Sequence, residues 1–190
     1  MKTLIMLSAY PASGKSTWAK RYKEEHENVV ILNSDEIRME VTNGDYHDHT
    51  RQKEVWELFE KRIHEYGQKD EITLILDALN DVNDVRLKYL KTTPEFDRKI
   101  LVMFNSNPER SKRLNAERDE RVRVPDFILD GLIEKFEEPN EEVYENIDEI
   151  RYIYWWRKKG IFSKIFRKTA LFIIFILRIA RSFVQISDLI

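Results

Sequence analysis

Apolar residues along this chain come in short, uninterrupted bursts between long charged stretches. TLIML (3–7), VVIL (29–32), TLIL (73–76) and ILVMF (100–104) lack polar alternation and are rich in β-branched residues. Such runs predict strands buried on both faces, as in a parallel sheet. Charged, helix-favouring segments fill the intervals at roughly 15–27, 34–42, 50–68, 83–91, 108–118 and 125–137. Over 50–68, Val55, Leu58, Phe59, Arg62, Ile63 and Tyr66 recur at spacings of three and four, which predicts an amphipathic helix. The same spacing makes Trp56, Phe59 and Tyr66 core residues rather than a platform for stacking bases. RYIYWW (151–156) predicts a last strand. Strands alternating with helices predict an α/β layered fold, its parallel sheet closed by right-handed crossovers.

Composition bounds the reading without changing it. The 190 residues suit one domain with a short appendage, long enough to bury a core without staples. The absence of Cys excludes disulfides, thiolate metal sites and Cys nucleophiles. Five Gly and five Pro beside 42% apolar residues argue against a disordered or collagen-like chain. The first apolar run is too short for a secretory leader, so a cytoplasmic protein is expected. Charge does change the picture. A net charge of −2 averages 24 basic and 33 acidic residues in 1–153 with eight basic and one acidic in 154–190. The expected organisation is an acidic domain at 1–153 and a basic, apolar tail at 154–190.

The first strand runs into Ala9, Tyr10, Pro11, Ala12, Ser13, Gly14, Lys15, Ser16 and Thr17, and a helical pattern follows. Ala-x4-Gly-Lys-Ser in that context is a phosphate-binding loop. Its backbone N–H groups curl around an anion at a helix N-terminus. Gly14 permits the close approach, Lys15 can reach the β- and γ-phosphates, and the Ser16 hydroxyl can ligate Mg²⁺. ATP and Mg²⁺ are the expected cofactors. Ala9 and Ala12 stand where such loops often carry Gly, and Ala12 asks that its position keep a negative φ.

The other strand ends carry the remaining chemistry, since ligands of open α/β sheets bind at the carboxyl ends of strands. The second strand ends in LNSDEIR (32–38), with Asn33 or Ser34 as helix cap. Asp35 could accept a proton from an attacking hydroxyl, and Arg38, one turn on, could hold an acceptor phosphate. The third strand ends in TLILDALN (73–80), where Asp77 can orient a Mg²⁺-bound water or an acceptor-binding Arg. Asn80 is placed to contact the acceptor. After the fourth strand, Arg110, Lys112, Arg113, Arg118, Arg121 and Arg123 crowd into an otherwise acidic domain. A mobile Arg-rich lid over about 108–125 would stabilise a transferring phosphoryl group.

AYPASGKST, LNSDEIR, LILDALN and RLNAERDERVRVP, in this order, resemble the kinase domain of phage-type polynucleotide 5′-hydroxyl kinases. The wider group is the small P-loop kinases of the zeta-toxin-like AAA-domain family, and the resemblance covers about residues 1–150. It implies a P-loop three-layer sandwich and an ATP-dependent kinase. It implies that Lys15 and Ser16 hold the donor phosphates and metal, and that Asp35 is the general base. It implies that Arg38 grips the acceptor phosphate, that Asp77 supports that Arg or the metal shell, and that Arg118 is the lid arginine. Asn115 and the Val124–Pro125 pair match the lid framework, and Arg121 or Arg123 is left to share the lid role. The phosphatase half of the phage enzyme has no counterpart, since no Asp-x-Asp-x-Thr occurs.

The acidic domain weighs against a long nucleic acid, because single strands favour basic channels. The expected acceptor is a nucleic acid 5′ end. The alternatives are a small-molecule hydroxyl, or no acceptor at all in an ATP-binding module tethered by its tail. His47 and His49 beside Asp45 and Asp48 read as a solvated loop rather than a metal site. In the tail, the longest run free of charged or hydroxyl residues is the eight residues of 170–177. A span needs ~20 apolar residues, and Arg178 and Arg181 would each cost about 2.5–3.5 kcal/mol at its centre. A basic apolar helix is expected at 155–190. Its readings are a membrane-interface helix, a spanning anchor, a surface packed on the domain or a second subunit, or a non-native extension.

Overall fold

The computed structural model describes residues 1–46, 48–105, 107–154 and 162–167. Chain order runs β1 (Lys2–Ser8), α1 (Lys15–Glu25), β2 (Val29–Asn33), α2 (Ser34–Val41), α3 (Gln52–Gly67), β3 (Ile72–Asp77) and α4 (Asn83–Thr92). It continues with β4 (Arg98–Asn105), α5 (Pro108–Ala116), a 3₁₀ turn (Glu120–Val122), α6 (Asp126–Glu134), α7 (Glu141–Asn146), β5 (Glu149–Tyr154) and β6 (Phe162–Arg167). The sheet order is β2-β3-β1-β4-β5-β6. The first five strands are parallel, and β6 runs antiparallel to β5.

Successive residues of a strand face opposite sides of the sheet, so β1 feeds two cores. Leu4 and Met6 join Leu74, Leu76 and Leu101 under Val55, Phe59 and Ile63 of α3 and Leu87 and Leu90 of α4. Ile5 and Leu7 join Ile75, Ile100 and Val102 on the other face, where Trp18 and Ala19 of α1 cover them. Continuous apolar runs are therefore what a central strand of a three-layer sandwich requires. Trp56 and Tyr66 lie partly buried against the first core, and Phe59 is fully inside it.

Two elements depart from the expectation. α7 is six residues long, too short to display a helical period, and only its Asn140 cap announces it. β6 lies in the tail, where a helix is expected. There the backbone is extended and pairs with β5 from Glu149↔Arg167 to Tyr154↔Phe162. That pairing satisfies backbone groups that β5 would otherwise present as a free edge. The rest of the tail reading lies outside the described residues. Among those described, no helix is long and apolar enough to cross a membrane.

One buried cation ties the strand ends together. Arg86 of α4 is fully buried. Its Nε donates to Asn80 O and its Nη1 to Asn83 Oδ1, both at 2.9 Å. Its Nη2 faces Ser8 Oγ at 3.0 Å, Asp81 O at 2.9 Å and Glu137 O at 2.7 Å. The guanidinium also lies over the Phe136 ring, 5.5 Å from its centroid. Burial holds its pKa below the usual arginine value, with the charges of Glu138 and Asp81 opposing. Arg86→Met should lower unfolding free energy by roughly 3–5 kcal/mol, because several buried carbonyls lose their donor at once. Urea denaturation followed by circular dichroism measures this.

Candidate active site

The carboxyl ends of β1, β2 and β3 open into one cleft of about 420 Å³. Lys15 and Ser16 from the phosphate loop, Asp35 and Arg38 from α2, and Asp77 from β3 line it. Arg118, Arg123, Val124 and Pro125 come from the lid, Ile128 and Leu132 from α6, and Tyr46 and His49 from the loop after α2.

The loop from Ala9 to Gly14 turns by two left-handed residues, Ala12 at φ 57° and Gly14 at φ 94°. Gly14 takes this conformation freely. Ala12 does not keep the negative φ expected of it, and it bears a cost of about 1–2 kcal/mol against its Cβ. The turn aims the start of α1 into the cleft. Lys15 is 9% exposed, and its ammonium donates back to Ala9 O at 3.1 Å and Tyr10 O at 3.0 Å. Burial pushes its pKa down to about 8, against the opposing pull of Asp77 and Asp35. Ser13 Oγ is buried and meets no partner among the described residues. A cradle with a desolvated cation and an orphaned hydroxyl fits a polyanion.

Asn33 is the helix cap. Its Oδ1 accepts from the backbone N of Asp35 at 2.8 Å and of Glu36 at 3.1 Å. Its Nδ2 donates to Asp77 Oδ2 at 2.8 Å, joining the second and third strand ends. Arg38 is buried and held by Gln52 of α3. Tyr46, a residue without a sequence signal of its own, donates its hydroxyl to Asp35 Oδ2 at 3.1 Å. Burial, followed by the Asp35 charge, pushes the Tyr46 phenol up to about 12, and the Arg118 charge pulls the other way.

The lid keeps its frame through a reciprocal pair: Asn115 Nδ2 donates to Val124 O at 2.7 Å and Val124 N donates to Asn115 Oδ1 at 3.1 Å. Arg123 lines the cleft and donates to Arg118 O at 3.0 Å. Arg121 instead pairs with Asp119 at 2.9 Å in solvent, and Arg113 is exposed away from the cleft wall. Of Arg121 and Arg123, only Arg123 is on the cleft wall. Asn80 is not on the cleft wall either. It is 2% exposed at φ 44°, and its amide donates to Leu7 O at 2.9 Å, bracing β1 against β3. His49 is exposed at the cleft, and His47 lies outside the described residues. No group of three His, Asp or Glu gathers to hold a metal among the described residues. Ser16 and Asp77 offer a hydroxyl and a carboxylate on one cleft, a donor set suited to Mg²⁺ shared with phosphate oxygens.

Comparison with known proteins places this geometry. The family model described as chromatin associated protein KTI12 matches residues 2–146. A protein KTI12 homolog of Xenopus laevis is 26% identical over 146 residues, which is 72% of this chain and 51% of the relative. The chain therefore spans about half the length of that relative. The structure of Chaetomium thermophilum Kti12 in complex with ADP-AlF3 superposes with a TM-score of 0.64 at 16% identity, over 82% of this chain and 91% of that one. A chain of the Pnkp1/Rnl/Hen1 RNA repair complex gives 0.62 at 21% identity, over 70% of this chain and 43% of that one. The P-loop kinase fold is shared by all. The KTI12 match is narrower than the zeta-toxin-like grouping, and the polynucleotide-kinase resemblance stands as a likeness of fold.

Two outcomes follow from the loop. ADP affinity should weaken about tenfold between pH 7 and pH 9, as the Lys15 ammonium is lost above its lowered pKa. Titration calorimetry in buffers of different ionisation enthalpy should show a proton taken up on binding at the higher pH. Stability runs the opposite way. The unfolded Lys15 binds its proton more tightly than the folded one, so its contribution grows from pH ~8 to ~10.5 and is absent below. Ala12→Gly should raise stability by up to about 1 kcal/mol in urea denaturation, reversing the usual sign of an Ala-to-Gly change.

Proposed function

Given that the chain belongs to the KTI12 family, we propose that it is an ATP- and Mg²⁺-dependent phosphotransferase acting on a hydroxyl of a phosphate-bearing molecule, the 5′ end of a nucleic acid. The observation that carries this reading is the pairing of Asp35 and Arg38 one helical turn apart, facing the same cleft as Lys15 and Ser16. A carboxylate beside a buried guanidinium suits a hydroxyl with a phosphate next to it. The cleft sets Lys15, Arg38, Arg118 and Arg123 against Asp35 and Asp77, so its local charge opposes that of the acidic domain.

In this reading the loop amides and Lys15 hold the donor phosphates. Mg²⁺, when bound through Ser16 with Asp77 nearby, neutralises charge on the β- and γ-oxygens. Asp35 takes the proton from the acceptor hydroxyl as its oxygen bonds to the γ-phosphorus and the bond to the ADP oxygen breaks. Arg118, braced through Arg123, stabilises the equatorial oxygens. Asn33 keeps Asp35 and Asp77 in fixed relation. The ADP-AlF3 complex of the Chaetomium relative supports the donor half, because that ligand pair has the shape of a phosphoryl group in transfer. The RNA-repair neighbour supports a nucleic acid acceptor.

The test is labelled ATP with 5′-hydroxyl oligonucleotides. Transfer should occur, and Asp35→Asn should reduce it by about 10²–10⁴-fold while leaving ADP binding unchanged. Absence of label on any oligonucleotide, with ADP bound, sinks the nucleic acid version, and label on small hydroxyl compounds would replace it with a small-molecule kinase. The chromatin-associated description of the family favours a second reading, a binding module whose output is its nucleotide state. That reading predicts that Asp35→Ala preserves the cellular role while Lys15→Ala abolishes it.

A further inference from the structure

The Tyr46 hydroxyl stands where an acceptor hydroxyl would have to stand. It donates to Asp35 Oδ2 at 3.1 Å, and Arg118 lines the same cleft. Those are the groups assigned above to the acceptor proton and the transferring phosphoryl. It does so from inside the cleft, on a wall shared with Lys15, Ser16 and Arg38. The side chain comes from the loop after α2. Thr42 anchors the start of that loop, its hydroxyl meeting Arg38 O at 2.7 Å and Asp45 O at 2.6 Å. The phenol is thereby delivered by a closed turn and not by a free tail.

We propose that Tyr46 is a specificity-determining gate that occupies Asp35 until an acceptor displaces it, so that water is not used in the acceptor's place. The proposal rests on the phosphotransferase reading. Its chemistry is simple. A carboxylate at the mouth of a wet cleft is a base for water as much as for a substrate hydroxyl, and an activated water at the γ-phosphorus gives wasteful hydrolysis. A phenol bonded to that carboxylate denies it to water. It is also a poor competitor as nucleophile, because burial and the Asp35 charge hold its proton on. An incoming hydroxyl with its own phosphate can break the contact, because Arg38 offers it a hold that water cannot use. Displacement then frees Asp35.

The test compares ATP hydrolysis without acceptor in wild type, Tyr46→Phe, and Tyr46→Phe with Asp35→Asn. Tyr46→Phe removes only the hydroxyl, and thermal melting with ADP titration verifies the fold and the nucleotide site. Hydrolysis should rise about tenfold in Tyr46→Phe, the weight of one charge-assisted hydrogen bond, and the double variant should lose the gain. The ratio of oligonucleotide phosphorylation to hydrolysis should fall by a similar factor. An unchanged or lower hydrolysis rate in Tyr46→Phe overturns the gate, as does a gain that survives Asp35→Asn. Phosphate found on Tyr46 of the wild type by mass spectrometry after incubation with ATP also overturns it, since the phenol would then be a substrate. Failure of the acceptor assignment reads differently. There the wild type labels no oligonucleotide, whatever Tyr46→Phe does to hydrolysis.

Discussion

A buried ammonium that forms no ion pair among the described residues is the constraint around which this molecule is arranged. Lys15 is 9% exposed and is held by two carbonyl oxygens of its own loop. Carbonyl dipoles and the charges of Asp77 and Asp35 compensate only part of the lost hydration. Its lowered pKa is the measure of that debt. An anion in the loop answers it directly. The fold tolerates the cation because everything around it is over-determined. β1 has strand neighbours on both sides, and both its faces are buried in the two cores. Ala12 holds its left-handed φ of 57° between the same strand and α1.

The lid answers a second problem of charge. An acidic domain repels the phosphates that its cleft must admit, so positive potential has to be concentrated rather than spread. The crowding of arginines in α5 and the turn after it achieves this only in part. Arg121 is neutralised by Asp119 two residues away, and Lys112 by Asp130 at 2.7 Å. What reaches the cleft is Arg118 and Arg123, and Arg123 does so by donating to the backbone that carries Arg118. The Asn115–Val124 pair ties together the two ends of the stretch that carries both arginines.

This shows which parts of the molecule are legible along the chain. The five parallel strands are, because strands buried on both faces must be apolar throughout and their runs are short. The phosphate loop and the Asp35–Arg38 pair are, because each is a local spacing at a strand end. The lid frame is, through Asn115 and Val124–Pro125. Arg86 is not, since its partners at Ser8, Asn80 and Glu137 are brought to it only by the sheet and the return of the chain after α6. Asn80 is misread for a related reason. At a strand end it has a motif's position, but its positive φ turns the amide inward to Leu7 O. Tyr46 reads as one residue of a polar loop, and nothing local says that the loop folds back onto Asp35. β6 reads as part of a basic apolar tail, because its strand character comes from the open edge of β5 rather than from its own period.

The connection between fold and chemistry is tightest at Asn33. The parallel register pairs Asn33 with Asp77 across β2 and β3, one residue beyond the apolar pair Leu32 and Leu76. The same asparagine caps α2 and so sets where Asp35 leaves the sheet. One side chain therefore fixes Asp77 and the start of the helix that carries Asp35 relative to each other. A slip of one residue between the strands would turn Leu32 out of the core and Asn33 into it, and would break both bonds at once. The hydrophobic pattern that selects the register is thus also what sets the distance between the two carboxylates. The Asp35–Asp77 spacing needs no device of its own, because a slipped register would expose the core face of β2.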